Sequence, residues 1–446
     1  MARRVTRRLA AVVSVAAIGL ALAGCTAGSD AADPPSQPTG TSVNETLPTS
    51  APAPSTSGSS SPSDPPSTAP QTPSATVTVD PEPAKGEVIN PATPISVQVA
   101  DGTLTAVRLT NDSGKAVKGE LAPDSHSWTS TEPLGYSRTY TLSAVAKNAD
   151  GVTSTKKAKY TTVTPSNMTM PYFQYTGGYK LHDGDTYGVG IVPVVHFDEP
   201  ISDKKAAVAT LTVTTTPHVA GSWYWPDDQN AAFRPKEYWP AHTQVSIAAN
   251  VYGKQVSPGL YGQADAKISF KIGDKHVTIA EDNAPKVNKV KVYFNDKLVK
   301  KWNTSMGKHQ TQTYGNKTIS FYTMDGTYTV IAHENPAHMT SASYGIPKGA
   351  PGSYDELIYW ATKISTDGIY LHQLDTTVWA QDNGYDVSHG CLNLRGAYAK
   401  WFYQHSQIGD VVEVRGTKGA PKIEYWQGGA WSVPWKTWTA GGFTVA

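Results

Sequence analysis

The 446-residue sequence predicts a mainly β protein: two immunoglobulin-like β-sandwich modules, then a third β-sandwich unit with a short helix and a tryptophan-rich C-terminal cap. Three observations carry this. Apolar residues alternate in short runs split by turn residues. Gly, Pro, Ser, Thr and Tyr are abundant while only 17% of residues are charged. No long leucine-rich stretch has a helical period, and the length suits about three domains of 100 to 200 residues. The net charge of +1 gives no support to a nucleic-acid partner, which would want a clustered basic face.

Residues 1–25 read as an export signal. "MARRVTRRLAAVVSVAAIGLALAGC" begins with Arg3, Arg4, Arg7 and Arg8. An apolar run of roughly 15 residues follows, short of the 20 or so that span a bilayer. Its end, Leu22-Ala23-Gly24-Cys25, resembles a bacterial lipobox, whose cysteine takes a diacylglycerol thioether and becomes the new N-terminus. Two acyl chains suffice for stable anchoring. The expected location is therefore the outer face of the cytoplasmic membrane, held by lipid on Cys25.

Residues 26–86 are dominated by Pro, Ser, Thr, Ala and Gly, and such a segment cannot bury enough apolar surface to offset its ordering entropy. It reads as a disordered tether reaching about 45 Å as a flexible coil. Residues 87–166 form the first sandwich: in Arg138 to Val145 the residues Tyr140, Leu142 and Ala144 share one face, and Asn111-Asp112-Ser113-Gly114 reads as a hairpin turn. Residues 167–274 form the second, with the strands "GIVPVVHFDEPIS" and "LTVTTTPHV". Its "GSWYWPDDQ" cluster is read as core, since large aromatics in a small sandwich bury most of their surface.

The third unit covers 275–416. It opens on a hairpin, "VKVYF" and "KLVKKW" around Asn295-Asp296, and one helix is expected near "RGAYAKWFYQHS". Residues 417–446 carry Trp426, Trp431, Trp435 and Trp438 and read as an aromatic flap packed on the body.

Cys391 stands in "DVSHGCLNLRG" and is one of two cysteines. With Cys25 lipidated it has no disulfide partner, so it is either an inert buried residue or a reactive one. His-Gly-Cys beside Ser388 and Asn393 is a poor core sequence. One cysteine with scattered histidines also falls short of the three or four close ligands of a metal site. An acyl-transfer thiol needs a neighbouring base and oxyanion donors. Here Gly390 lets the backbone approach a substrate, and the amides of Gly390 and Cys391 are candidate donors. In "DGIYLH", His372 alternates away from Ile369 and Leu371 and so faces a cleft. Papain-like peptidases share this chemistry, but there the cysteine precedes the histidine and opens a long helix.

His372, a gap, and then "SHGCLNL" from Ser388 resemble the signature of the L,D-transpeptidase (YkuD-type) catalytic domain, in particular the actinobacterial lipoproteins with immunoglobulin-like N-terminal modules. The likeness continues through "TSMGK", "MTSASYGIP", "WATKIS", "VWAQ", "GDVVEV" and "WSVPWKTW". It implies a peptidoglycan enzyme in which Cys391 attacks the third residue of a stem tetrapeptide, expels D-Ala and holds a thioester, with His372 as base. An acceptor stem then gives a 3→3 cross-link. The carbonyl of Gln373 would orient His372, and Tyr354 would help hold the oxyanion. Met339 and Tyr344 would line the lid, Asp367, Gly368 and Asn393 would contact substrate, and Ser388 and His389 would shape the nucleophile loop. Carbapenem β-lactams are the implied covalent inhibitors.

No cofactor is implied. Some relatives bind calcium in the second module, but Gln255 and Pro258 stand where their acidic ligands would be, so no metal is carried over. Water or a protein amine as acceptor would instead make an L,D-carboxypeptidase or a protein-attaching enzyme. A non-catalytic wall-binding scaffold is the alternative from another class, opposed by the intact Cys391, His372 and Asn393.

Overall fold

The computed structural model describes residues 73–445, so Cys25 and most of the expected tether lie outside the described residues. The architecture is β throughout. In the first module the antiparallel sheet runs Thr76–Asp80, Ser96–Ala100, Ser127–Ser130, Gly119–Leu121 and faces Thr103–Asn111, Thr139–Lys147, Thr153–Thr161. Alternation in Thr139–Lys147 buries Tyr140, Leu142, Ala144 and Ala146 against Val97, Leu109 and Trp128, as the sequence predicts. The turn after Asn111 is tied by its own side chain, whose Oδ1 accepts from the N–H groups of Ser113 (3.1 Å) and Lys115 (2.8 Å). One boundary is corrected. Strand Thr76–Asp80 falls inside the stretch 26–86 read as tether, because "TVTVD" alternates and Val79 is buried in the sandwich despite its proline-rich flanks.

The second module packs a sheet ordered Tyr179–Lys180, Pro171–Tyr175, Val194–Phe197, Asn230–Pro235, Gly221–Tyr224, Thr444–Val445 against the sheet Thr186–Tyr187, Ala266–Ile272, Gln244–Ala249, Leu211–Thr216. Trp223 and Trp239 are fully buried between them, which places these two aromatics in the core. Trp223 meets Phe233 edge-on at 5.1 Å, a favoured quadrupole geometry.

In the third unit a five-stranded sheet runs Lys297–Thr304, Asn288–Phe294, His276–Glu281, Val411–Arg415, Gly326–Thr329. A four-stranded sheet runs Ala332–Glu334, Ala361–Lys363, Tyr370–Gln373, Leu392–Leu394. Asn295 and Asp296 hold φ of 47° and 66°, the left-handed pair that a tight hairpin turn between twisted strands requires. Helix Gly396–His405 buries Ala399 and Phe402 in the core with Leu371 and Leu394. The structure adds helices that the sequence reading did not name, among them Val378–Asn383, which ends on Gly384 at φ +76°. Six residues are too few to show a helical period, so this turn of helix left little pattern to read.

Modules two and three share one core: Ile331 and Val411 of the third pack among Tyr187, Val189 and Ile191 of the second. Gly188 N–H donates to the Ile408 carbonyl and Gly190 N–H to that of Gly409, both at 2.8 Å. A Cβ on Gly188 would lie 2.2 Å from the Asp410 nitrogen, and backbone cannot yield cheaply there. Gly188→Ala is therefore expected to cost about 1–3 kcal/mol, measured as a lower denaturation midpoint; an unchanged midpoint would mean that the junction is looser than its geometry.

The C-terminal cap staples these two modules together. Trp438 is fully buried, and its Nε1–H donates to the Ser222 carbonyl at 2.8 Å. Trp431 Nε1–H donates to that of Gly190 at 2.7 Å. The Arg234 guanidinium lies 4.4, 4.7 and 5.2 Å from the ring centroids of Trp438, Trp431 and Trp435. The cap thus packs on the second module, whose sheet its last strand extends, and on the third, where the Thr327 N–H donates to Ser432 Oγ at 2.8 Å and the Ile423 N–H to the Asp325 carbonyl at 3.0 Å.

Candidate active site

The parallel pairing of Tyr370–Gln373 with Leu392–Leu394 sets Leu371, His372 and Gln373 beside Leu392, Asn393 and Leu394, so the histidine strand runs alongside the end of the nucleophile loop. Cys391 and His372 line one cleft of about 650 Å³. The same cleft wall includes Met339, Tyr344, Tyr354, Asp367, Gly368, Ser388, His389 and Asn393. Two hairpins, Thr311–Tyr314 with Lys317–Ser320 and Ala337–Thr340 with Asp355–Ile358, lie to one side. They are tied by the Tyr314 hydroxyl donating to the Pro351 carbonyl at 2.7 Å.

His372 is buried, and its Nδ1 sits 2.9 Å from the Gln373 carbonyl. A carbonyl only accepts, so Nδ1 carries the proton and Nε2 is left as the basic nitrogen. Burial pulls the imidazole down to about 4, against a partial lift from that carbonyl. Gln373 spends its side chain on Asp375 (2.7 Å); toward His372 it acts through the main chain.

Cys391 is half-buried, with Sγ 3.5 Å from the Gly368 carbonyl. Burial pushes its thiol up to about 12 and the Asp367 charge adds to this, while the Tyr370 N–H opposes it. Both shifts favour neutral forms, so the resting pair is thiol and imidazole rather than thiolate and imidazolium. Alkylation of Cys391 by iodoacetamide should accordingly climb through pH 7 to 10. An acid plateau with an inflection below pH 6 would signal a resting ion pair instead.

The nucleophile loop is cross-braced. Ser388 Oγ donates to the Cys391 carbonyl at 2.7 Å and accepts the Gly390 N–H at 3.0 Å. Thr323 Oγ1, fully buried, donates to the Gly390 carbonyl at 2.8 Å. Gly390 holds φ +134°, a conformation that side chains resist. This corrects one expectation: the Gly390 amide is already given to Ser388, which leaves the Cys391 amide as the oxyanion candidate of the two. Tyr354 is driven well above the ordinary phenol range, first by burial and then by the Cys391 charge, so its hydroxyl stays protonated and able to donate.

Asn393 is 1% exposed, and neither of its side-chain polar atoms has a hydrogen-bond partner. A buried orphan amide on a cleft wall is poised for a ligand's peptide groups. Asp367 is already engaged, by Ser365 Oγ at 2.5 Å and Gln427 Nε2 at 2.8 Å, so it supports the Gly368 turn. His389 packs edge-on to Phe321 at 4.5 Å, and its Nε2 is buried without a partner. Burial, with Lys308 nearby, pulls it down to about 4.

Burial favours the neutral form of His333 too, and with it His372 and His389 make the fold acid-sensitive. The stabilisation from His372 and His389 is full above the ordinary 6.5 and is lost as pH falls through about 4. Denaturation midpoints should therefore drop between pH 6.5 and 4 in the wild type, and less steeply in His389→Phe.

Sequence reasoning missed Trp426 and Gln427, which line the cleft from the C-terminal cap, and Thr323. The cap carried no signal of this, since Gln427 reaches Asp367 only through the tertiary fold.

A thiol and a neutral imidazole in one cleft of a β-fold are the equipment of an acyl-transfer enzyme. The comparisons agree. Residues 283–414 match the family model described as the L,D-transpeptidase catalytic domain, and residues 86–255 match that of a bacterial Ig domain. The chain is 38% identical over 350 residues to L,D-transpeptidase 2 of Mycobacterium tuberculosis, covering 78% of this chain and 80% of that protein. It is 34% identical over 375 residues to L,D-transpeptidase 5 of the same species, covering 82% and 77%. The solved LD transpeptidase LdtMt1 in complex with imipenem is similar at 25% identity and a TM-score of 0.43, covering 55% of this chain and 99% of that one. The chain belongs to the L,D-transpeptidase family, and its activity is peptidoglycan L,D-transpeptidation.

Proposed function

We propose that the protein joins peptidoglycan stems 3→3 through a thioester on Cys391. His372 Nε2 takes the thiol proton as sulfur attacks the carbonyl of the third stem residue. The Cys391 N–H and the protonated Tyr354 hydroxyl receive the developing oxyanion. The C–N bond to the terminal D-Ala breaks, and that amine leaves with the proton held on His372. The acceptor amine then attacks the thioester, gives its proton to His372, and the thiol re-forms. Because thiol and imidazole both rest neutral, the proton moves with the attack, as general base catalysis rather than prior ionisation.

The observation that carries this reading is the hydrogen bond from His372 Nδ1 to the Gln373 carbonyl, which orients the other ring nitrogen in the cleft that holds Cys391. A defined disaccharide tetrapeptide incubated with the enzyme should yield 3→3 dimers with release of D-Ala, read by tandem mass spectrometry. Tripeptide alone would point to a carboxypeptidase.

A carbapenem would acylate the same thiol, ring opening taking the place of D-Ala loss. The N-terminal signal and the composition of the tether support a lipid-anchored enzyme on the outer face of the cytoplasmic membrane, working on the wall beyond it. Globomycin-sensitive processing, with palmitate labelling lost in Cys25→Ala, tests that placement.

A further inference from the structure

Behind the nucleophile loop, Asp282, His309 and Asp386 bring three donor atoms within 4.8 Å of one another. His309 Nε2 is 2.7 Å from Asp282 Oδ2 and 3.4 Å from Asp386 Oδ2. Yet none of the three atoms makes a hydrogen bond, although all are buried. The aspartate side chains are 2% and 6% exposed, and the one basic group within ion-pair distance of these oxygens among the described residues is the His309 ring, a single imidazole for two buried carboxylates.

The opposite oxygen of each carboxylate is anchored. Asp386 Oδ1 accepts from Asn288 Nδ2 at 2.8 Å and from the Met306 N–H at 2.5 Å. Asp282 Oδ1 accepts from the Ala284 N–H at 3.2 Å. The His309 ring stacks near Tyr322 at 5.6 Å. Each carboxylate is thus oriented by backbone or amide donors and presents one free oxygen toward the imidazole, as outer partners orient metal ligands.

We propose that Asp282, His309 and Asp386 bind a divalent transition-metal ion of the zinc class, with one imidazole nitrogen and two carboxylate oxygens as ligands. An imidazole with two carboxylates suits zinc, whereas calcium takes six to eight oxygens.

The ion acts on the nucleophile loop through its neighbours. Asp386 opens the stretch in which Ser388 N–H donates to the Met306 carbonyl and Lys308 N–H to that of Ser388, both at 3.0 Å. Metal would tie the two sides of that pairing to Asp282, which follows the strand His276–Glu281, stiffening the platform on which Cys391 sits. The role is structural, so binding is expected in an inactive enzyme as well.

The test is calorimetric titration of zinc chloride into the chelator-dialysed full chain carrying Cys391→Ala, which removes thiolate ligation and makes the result independent of the proposed chemistry. Saturation at one zinc per chain is expected, together with a raised thermal midpoint. His309→Gln and Asp282→Asn should each weaken binding by more than about tenfold. No saturable binding, or binding that both variants retain, would overturn the proposal. Should either variant misfold, zinc-edge X-ray absorption of the Cys391→Ala chain decides: a nitrogen/oxygen shell with one imidazole supports the site, and two or more imidazoles contradict it.

Discussion

Cys391→Ala should leave the fold intact and lower cross-link formation by more than about a thousandfold, since removing the nucleophile of a coupled catalytic group forfeits nearly all the chemistry. The side chain is small, half-buried and packed only at the edge of a minor cluster with Met339 and Tyr370, so the structural cost is small. The loop that carries it is held by Ser388 and Thr323 contacts to main-chain atoms, which alanine keeps. Thermal midpoint and dimer yield should therefore separate cleanly, with the first near wild type and the second at background. Cross-linking that survives in the variant would mean that Cys391 is not the nucleophile.

Arg234→Ala should do the reverse, damaging the fold first and activity through it. The residue is 2% exposed, donates to the Val433 carbonyl at 2.7 Å and faces three tryptophan rings. Burial pulls even this guanidinium down to about 10, a sign of how dry the site is. Losing a desolvated cation–π cluster, a charge-assisted hydrogen bond and the side-chain volume should together cost about 3–5 kcal/mol. The cap held there also delivers Gln427 to Asp367 and Trp426 to the cleft, so KM for the stem should rise as well. Arg234→Lys keeps the charge but not the planar stack and should fall between. Calorimetric midpoints with kinetics of the three proteins check this; an unchanged midpoint in Arg234→Ala would show that the cap is held elsewhere.

Much of this was legible in the sequence because it is local. Tyr140, Leu142 and Ala144 alternate within one strand, Asn295-Asp296 is a turn by its own chemistry, and His-Gly-Cys is contiguous. The pairing of His372 with the nucleophile loop was legible only through resemblance, since no periodicity states that strand Tyr370–Gln373 lies beside Leu392–Leu394.

What escaped was set by tertiary contacts. Gly390 looked like an oxyanion donor because glycine exposes its amide, but Ser388 folds back to take it. Where the cap attaches was not readable, because Trp431, Trp435 and Trp438 meet their partner, Arg234, in another module. Asp282, His309 and Asp386 are too far apart in sequence for any ligand spacing to show, and only the fold collects them.

Thioester catalysis at Cys391 is tested most directly by intact-protein mass spectrometry during incubation with a disaccharide tetrapeptide. The enzyme should gain the mass of the stem less D-Ala on the peptide containing Cys391, and added acceptor should discharge it into 3→3 dimer. Dimers formed with no adduct, or with an adduct on another residue, would contradict it.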